Sequence, residues 1–122
     1  MTDLDIRTID IEHADLMVDI DVAISFSGTN TEKCEVFRRV IDNLIAQFET
    51  EELMKDDHYF NFSKHAEVHK KFISAVEDLY TQAVNTNNHT EINDLLLLFR
   101  KYLASHFEIA DMAFRFFLAE NA

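Results

Sequence analysis

The stretch His65-Ala66-Glu67-Val68-His69-Lys70-Lys71-Phe72-Ile73-Ser74-Ala75-Val76 decides the fold. Residues four apart lie on one face of an α-helix, which turns once in about 3.6 residues. His65 and His69 therefore project together. Phe72, Ile73 and Val76 follow at the same spacing, and Val68, Leu79 and Ala83 belong to the same apolar set. A pair of imidazoles thus continues the apolar stripe of an amphipathic helix, and both rings are expected to face inward. Ser63 stands where a helix cap belongs, after a loop-like stretch from Asp56 to Phe62. The polar run Asn85 to Thr90 closes the segment.

The pattern repeats on both sides. Before the loop, Phe37, Val40, Ile41, Leu44, Ile45, Phe48 and Met54 predict a helix capped by Asn30 or Thr31, with Glu32 in its first turn and an end near Lys55. Earlier still, Ile9, His13, Leu16, Met17, Ile20 and Ile24 share a face from about Ile9 to Phe26. Gly28 is expected to end that helix in a left-handed conformation. After Thr90, a fourth cap, Ile92, Leu95, Leu96, Phe99, Leu103, Phe107 and Phe114 mark a helix to about Leu118. The chain of 122 residues has one glycine and no proline, so little in it breaks helices. An all-α, up-down-up-down four-helix bundle forming a single domain over residues 1–122 is the expectation.

Composition narrows the function classes. Hydrophobic residues make up 48%, too many for a disordered chain. A formal net charge of −12 repels phosphate backbones, so nucleic acid is not an expected partner. The longest apolar run, Leu95 to Phe99, is too short to span a membrane. Met1 to Arg7 carries acids and no apolar run, unlike a signal peptide. Cys34 is the one cysteine, which excludes an internal disulfide and suits a cytoplasmic setting; no catalytic role is assigned to it.

The chemistry-bearing residues fall on the apolar faces. His13 lies between Ile9 and Leu16, and Glu51 extends the Leu44, Gln47, Phe48 face. His106 and Asp111 share the last helix, with Asp111 among Ala110, Met112, Ala113 and Phe114. A buried carboxylate is costly unless it is paired or bound to a cation. Each residue also has a plain structural reading. His13 serves equally as a hydrogen-bonded core histidine, Glu51 as a solvated acid, and Asp111 as a partner for Arg115. Coincidence separates these readings: every expected helix offers a metal-capable side chain on its inward face, and bundle cores recurrently hold dinuclear sites built this way. His58 and His89 belong to loops and are read as exposed.

Four motifs, one per helix and in order, give the chain a resemblance to small bacterial hemerythrins. They are Ile9-Asp10-Ile11-Glu12-His13-Ala14-Asp15-Leu16, Gln47-Phe48-Glu49-Thr50-Glu51-Glu52-Leu53-Met54, His65-Ala66-Glu67-Val68-His69-Lys70-Lys71-Phe72, and the segment from Tyr102 through His106 to Asp111. The resemblance implies two non-haem iron ions. His65, His69 and His106 would hold the first and His13 the second, with Glu51, Asp111 and an oxo or hydroxo group bridging them. It further implies O2, or another small diatomic or peroxide, as ligand at the second iron, with Leu103 lining the oxygen pocket.

The chain departs from the family at Gln47, where the pattern has histidine. An amide oxygen is a harder and weaker donor than imidazole. Coordination, a hydrogen bond to an iron-bound water, and an open position are the three outcomes left. An O2-binding protein for storage, delivery or sensing is the first expectation. A diiron oxidase or peroxidase and an iron-holding bundle without gas chemistry are the alternatives. Sensing would call on a separate redox or signalling partner.

Overall fold

A computed structural model describes the backbone of residues 6–54 and 62–120, and the side chains of residues 11–51 and 66–107. Four helices account for nearly all of it: α1 (Ile6–Ser25), α2 (Asn30–Met54), α3 (Phe62–Asn85) and α4 (His89–Glu120). No strand occurs among the described residues. α1 packs on α2 and α4, and α3 packs on the same two, while α2 and α4 also meet across the centre. No described helix is long and apolar enough to cross a membrane.

The core is the row of side chains that the spacing selects. Leu16 and Ile20 from α1, Phe37, Ile41 and Leu44 from α2, Val76 from α3, and Ile92, Leu96, Phe99 and Leu103 from α4 are fully buried. Burying one such side chain is worth roughly 1.5–3 kcal/mol, so this row dominates stability. Phe37 ties three helices, with ring centroids 5.7 Å from both Tyr80 and Phe99. Val68 departs from expectation, at 36% exposed. It sits one residue, and so about 100°, away from buried His69 around the helix. Ile9, Met54 and Phe114 fall outside the described side chains, as does most of the loop assigned to Asp56 to Phe62; Phe62 itself opens α3.

The helix ends correct several sequence expectations. Thr29, and neither Asn30 nor Thr31, caps α2. Its Oγ1 accepts from Glu32 N at 3.1 Å, while Thr29 N donates to Glu32 Oε1 at 2.9 Å. This is the reciprocal capping box. The backbone bond holds the Glu32 carboxyl below its ordinary value, with the Thr29 hydroxyl assisting. Asn88, and not Thr90, caps α4 by accepting from Glu91 N at 3.2 Å. Ser63 lies inside the first turn of α3 and does not precede it. Asn30, with no cap to form, reaches across the chain. Its Nδ2 donates to Asn87 O at 3.0 Å, and its Oδ1 lies 3.2 Å from His89 Nδ1. The α1–α2 and α3–α4 connections are thereby fastened together.

Gly28 does not adopt the left-handed backbone expected of it. What it supplies is space, since a Cβ there would fall 2.5 Å from a Phe26 ring carbon and 2.8 Å from Glu32 Oε1. The end of α1 is instead capped by a lysine. Lys33 is fully buried, and its Nζ donates to Ile24 O at 2.8 Å and Phe26 O at 2.9 Å. A cation at a helix C-terminus meets both the orphan carbonyls and the negative end of the dipole. Desolvation pulls the Lys33 ammonium below its ordinary value. Lys33→Met keeps the stem and deletes both bonds. It is expected to cost about 2 kcal/mol, the scale of charge-assisted hydrogen bonds. Urea unfolding checks this; unchanged stability would mean that water serves those carbonyls equally well.

Candidate metal centre

Each helix contributes one of the expected donors to a common region. Glu51 on α2 is 2% exposed, His69 on α3 1% and His106 on α4 7%, and the His13 side chain on α1 is 12% exposed. All four continue the apolar rows that build the core, which is why they end up inside. Glu51 stands between two of the histidines. Its Oε2 lies 3.7 Å from His13 Nε2, and its Oε1 lies 3.9 Å from His69 Nε2. The His69 and His106 rings are 5.3 Å apart, centre to centre.

The surroundings are aromatic. Phe48 stacks on His69 with centroids 3.8 Å apart and planes within 8°. Phe107 stacks on His13 at 3.7 Å and 8°. Phe48 and Phe72 lie 5.1 and 5.0 Å from His106 at tilted angles. Leu103, expected to line an oxygen pocket, is fully buried one turn before His106. A surface cleft of about 530 Å³ lies between α2 and α3, lined by Ile45, Phe48, His69 and Ile73 together with the charged Glu49, Glu67 and Lys70.

Gln47 sits one turn before Glu51. Its Oε1 is buried and, among the described residues, has no hydrogen-bond partner. A buried carbonyl oxygen left unserved costs about 1–3 kcal/mol, so this atom calls for a donor or a cation. The remaining expected donors, His65 and Asp111, lie on α3 and α4, with side chains outside the described residues. Among the described residues no group of three or more His, Cys, Asp or Glu side chains is gathered closely enough to hold an ion. The pairs His13–Glu51 and Glu51–His69 nevertheless suit one. Nitrogen and oxygen ligands each about 2.1 Å from a metal stand roughly 3–4 Å apart.

His58 lies outside the described residues, and His89 is exposed, as expected, although it opens α4 instead of lying in a loop. Cys34 is buried, with its Sγ donating to Ala83 O at 3.6 Å. Burial pushes its thiol above the ordinary value, against the thiolate that reactivity needs. Sequence reasoning missed Lys33 and the two ring stacks. The signal for Lys33 was its place one turn before Phe37 on the inner row. Phe48 and Phe107 each directly follow a candidate ligand, Gln47 and His106.

No protein-family model, curated protein or solved structure matches the chain.

Glu12, beside His13, reports on the site's charge. Burial pushes its carboxyl above the ordinary value, Glu51 pushes the same way, His13 opposes, and Asp15 adds to the rise. Between the ordinary and the raised value, the folded chain keeps a proton that the unfolded chain has lost. This group's contribution therefore makes stability fall as pH rises through that window. Glu51→Gln removes one cause, so the Glu12 titration is expected to move down and the window to narrow. Carbon NMR of the Glu12 carboxyl measures it; an unmoved titration would mean that burial alone sets the shift.

Proposed function

We propose that this chain holds a pair of iron ions between its four helices and binds O2 there, in the manner of the hemerythrins its motifs resemble. The observation that carries the reading is Glu51: a buried carboxylate flanked by imidazoles from two other helices, one turn from the orphaned Gln47 oxygen. An up-down-up-down bundle is the arrangement inferred. In its support, each helix packs on the next, α1 closes on α4, and the two connections meet at Asn30 and Asn87. A cytoplasmic home is part of the same proposal.

In this reading His65, His69 and His106 would hold the first ion, His13 and Gln47 would serve the second, and Glu51 and Asp111 would supply carboxylate oxygens to the pair. When bound, the iron pair supplies the electrons and the open coordination by which O2 is taken up. The chain's own part is to orient and to exclude water. Phe48, Phe72 and Phe107 surround the imidazoles with apolar rings, and Leu103 closes the core below His106. A dry setting slows the hydrolytic and proton-driven side reactions of an oxidisable site. The α2–α3 cleft, with Ile45, Phe48 and Ile73 in its wall beside the charged Glu49, Glu67 and Lys70, is the route this reading assigns to a small neutral molecule. Gln47 favours a second reading, in which O2 is consumed and not returned, because the second ion then has one imidazole, from His13.

Iron analysis after anaerobic reconstitution is expected to find two ions per chain; one or none would remove the dinuclear reading. His69→Ala is expected to lose iron and to lower the melting temperature of the loaded protein, because metal binding is coupled to folding. Full iron content with an unchanged melting temperature would place His69 outside the ligand set. Gln47→His restores the family's ligand, and the reduced, iron-loaded variant is expected to oxidise more slowly in air than the native chain. Stopped-flow absorption compares the two. Equal rates would make Gln47 a silent replacement, and slower oxidation of the native chain would assign the amide a protective role.

A further inference from the structure

We infer that Phe48 and Phe107 are positioning residues, which fix the ring planes of His69 and His13 so that each Nε2 is held toward Glu51. The inference rests on the metal-holding reading above. Both stacks join neighbouring helices: Phe48 of α2 covers His69 of α3, and Phe107 of α4 covers His13 of α1. Both are nearly parallel, at 8°, with centroids 3.8 and 3.7 Å apart. The other described ring pairs in this core take wider spacings, mostly at steep angles. Phe48 meets Phe72 at 5.9 Å and 67°, and Phe37 meets Tyr80 at 5.7 Å and 74°. Those are the tilted geometries that aromatic rings prefer. Among the described residues, close face-to-face contact is confined to two imidazoles that flank Glu51.

The torsion that turns an imidazole about its Cβ–Cγ bond is broad and roughly two-fold. An uncovered ring therefore swings widely, and its nitrogens sweep an arc. A phenyl face lying 3.7–3.8 Å away blocks that swing in one direction. It does not distinguish the ring from its half-turned counterpart, which lies in the same plane with Nε2 and Cε1 exchanged. Glu51 distinguishes the two half-turns, because its oxygens lie 3.7 Å from His13 Nε2 and 3.9 Å from His69 Nε2. The phenyls thus set the plane and the carboxylate sets the flip. Phe48 is itself 1% exposed and wedged against Phe72, so it is a fixed surface. Its place just after Gln47 follows from helix geometry: the next residue points about 100° around, toward the adjacent helix and its histidine. Phe107, just after His106, repeats the arrangement.

Phe48→Leu and Phe107→Leu keep an apolar side chain and remove the flat face, and Phe107→Tyr puts the face back. Two measurements are made on the full chain. In the metal-free protein, NMR of the histidine ring protons is expected to find His69 and His13 shifted upfield by the phenyl faces. Phe48→Leu should release His69 alone and Phe107→Leu His13 alone. In the second, Co2+ is titrated and its visible absorption followed. Each leucine variant is expected to bind about tenfold more weakly, as changes behind a metal ligand typically do. Phe107→Tyr should bind as the native chain does. Unshifted ring protons in the native protein, or leucine variants that bind Co2+ as tightly as it does, would overturn the inference. A native chain that takes up no Co2+ would defeat the metal reading separately, with the ring-proton comparison still deciding the stacks. If Phe48→Leu does not fold, Phe107→Leu at its half-buried position decides the question.

Discussion

A carboxylate with almost no access to water governs this structure. Glu51 is 2% exposed beside a core built mainly of leucine, isoleucine, phenylalanine, valine and alanine. Such a group is tolerated only beside donors or cations. α1 and α3 answer with His13 and His69, and α4 brings His106 against Phe48 and Phe72. The positions that carry these groups are the same inner rows that elsewhere carry apolar side chains. One helical period therefore builds both the core and the polar cluster, and the transition from one to the other occurs along the length of each helix.

At the other end of α2 the inner row terminates in a second charge, of opposite sign. Lys33 leads into Phe37, Ile41, Leu44 and Phe48, and Glu51 follows them. The two charges are satisfied by different means. Lys33 meets backbone carbonyls at the end of α1, and Glu51 meets imidazole side chains. Between them the inner row is dry. Their separation fixes how α2 is seated lengthwise, because a slip of one turn, about 5.4 Å, would unhook Lys33 and carry Glu51 away from both histidines.

Periodicity made the helices readable because each buries a single face, and a buried face repeats with the helical period. The row Phe37, Val40, Ile41, Leu44, Phe48 is such a face, and so is Ile92, Leu95, Leu96, Phe99, Leu103. Ends were harder. Thr29 and Glu32 stand at capping-box spacing, yet Asn30 and Thr31 are equally good cap residues by type, and the choice depends on Asn30 being drawn to Asn87 across the chain. Gly28 was misread for a related reason: the end of α1 is closed by a lysine from the next helix and not by local backbone geometry. Residue types in the candidate site were legible, and so was their inward direction for Glu51, His69 and His106. Their mutual arrangement was not, because a stack such as Phe107 on His13 joins residues far apart in sequence, and spacing along one helix carries no information about its neighbour.

The bonds from Asn30 to Asn87 and His89 have a mechanical consequence. They tie the two helical hairpins, α1–α2 and α3–α4, at the connections, whereas His13, Glu51, His69 and His106 all lie about three turns or more along their helices from that knot. The two hairpins are thus latched at one end of the described bundle, by side chains that take no part in the buried polar cluster. A change in either connection therefore meets the Asn30 latch first, and several turns of packed core lie between it and the buried carboxylate.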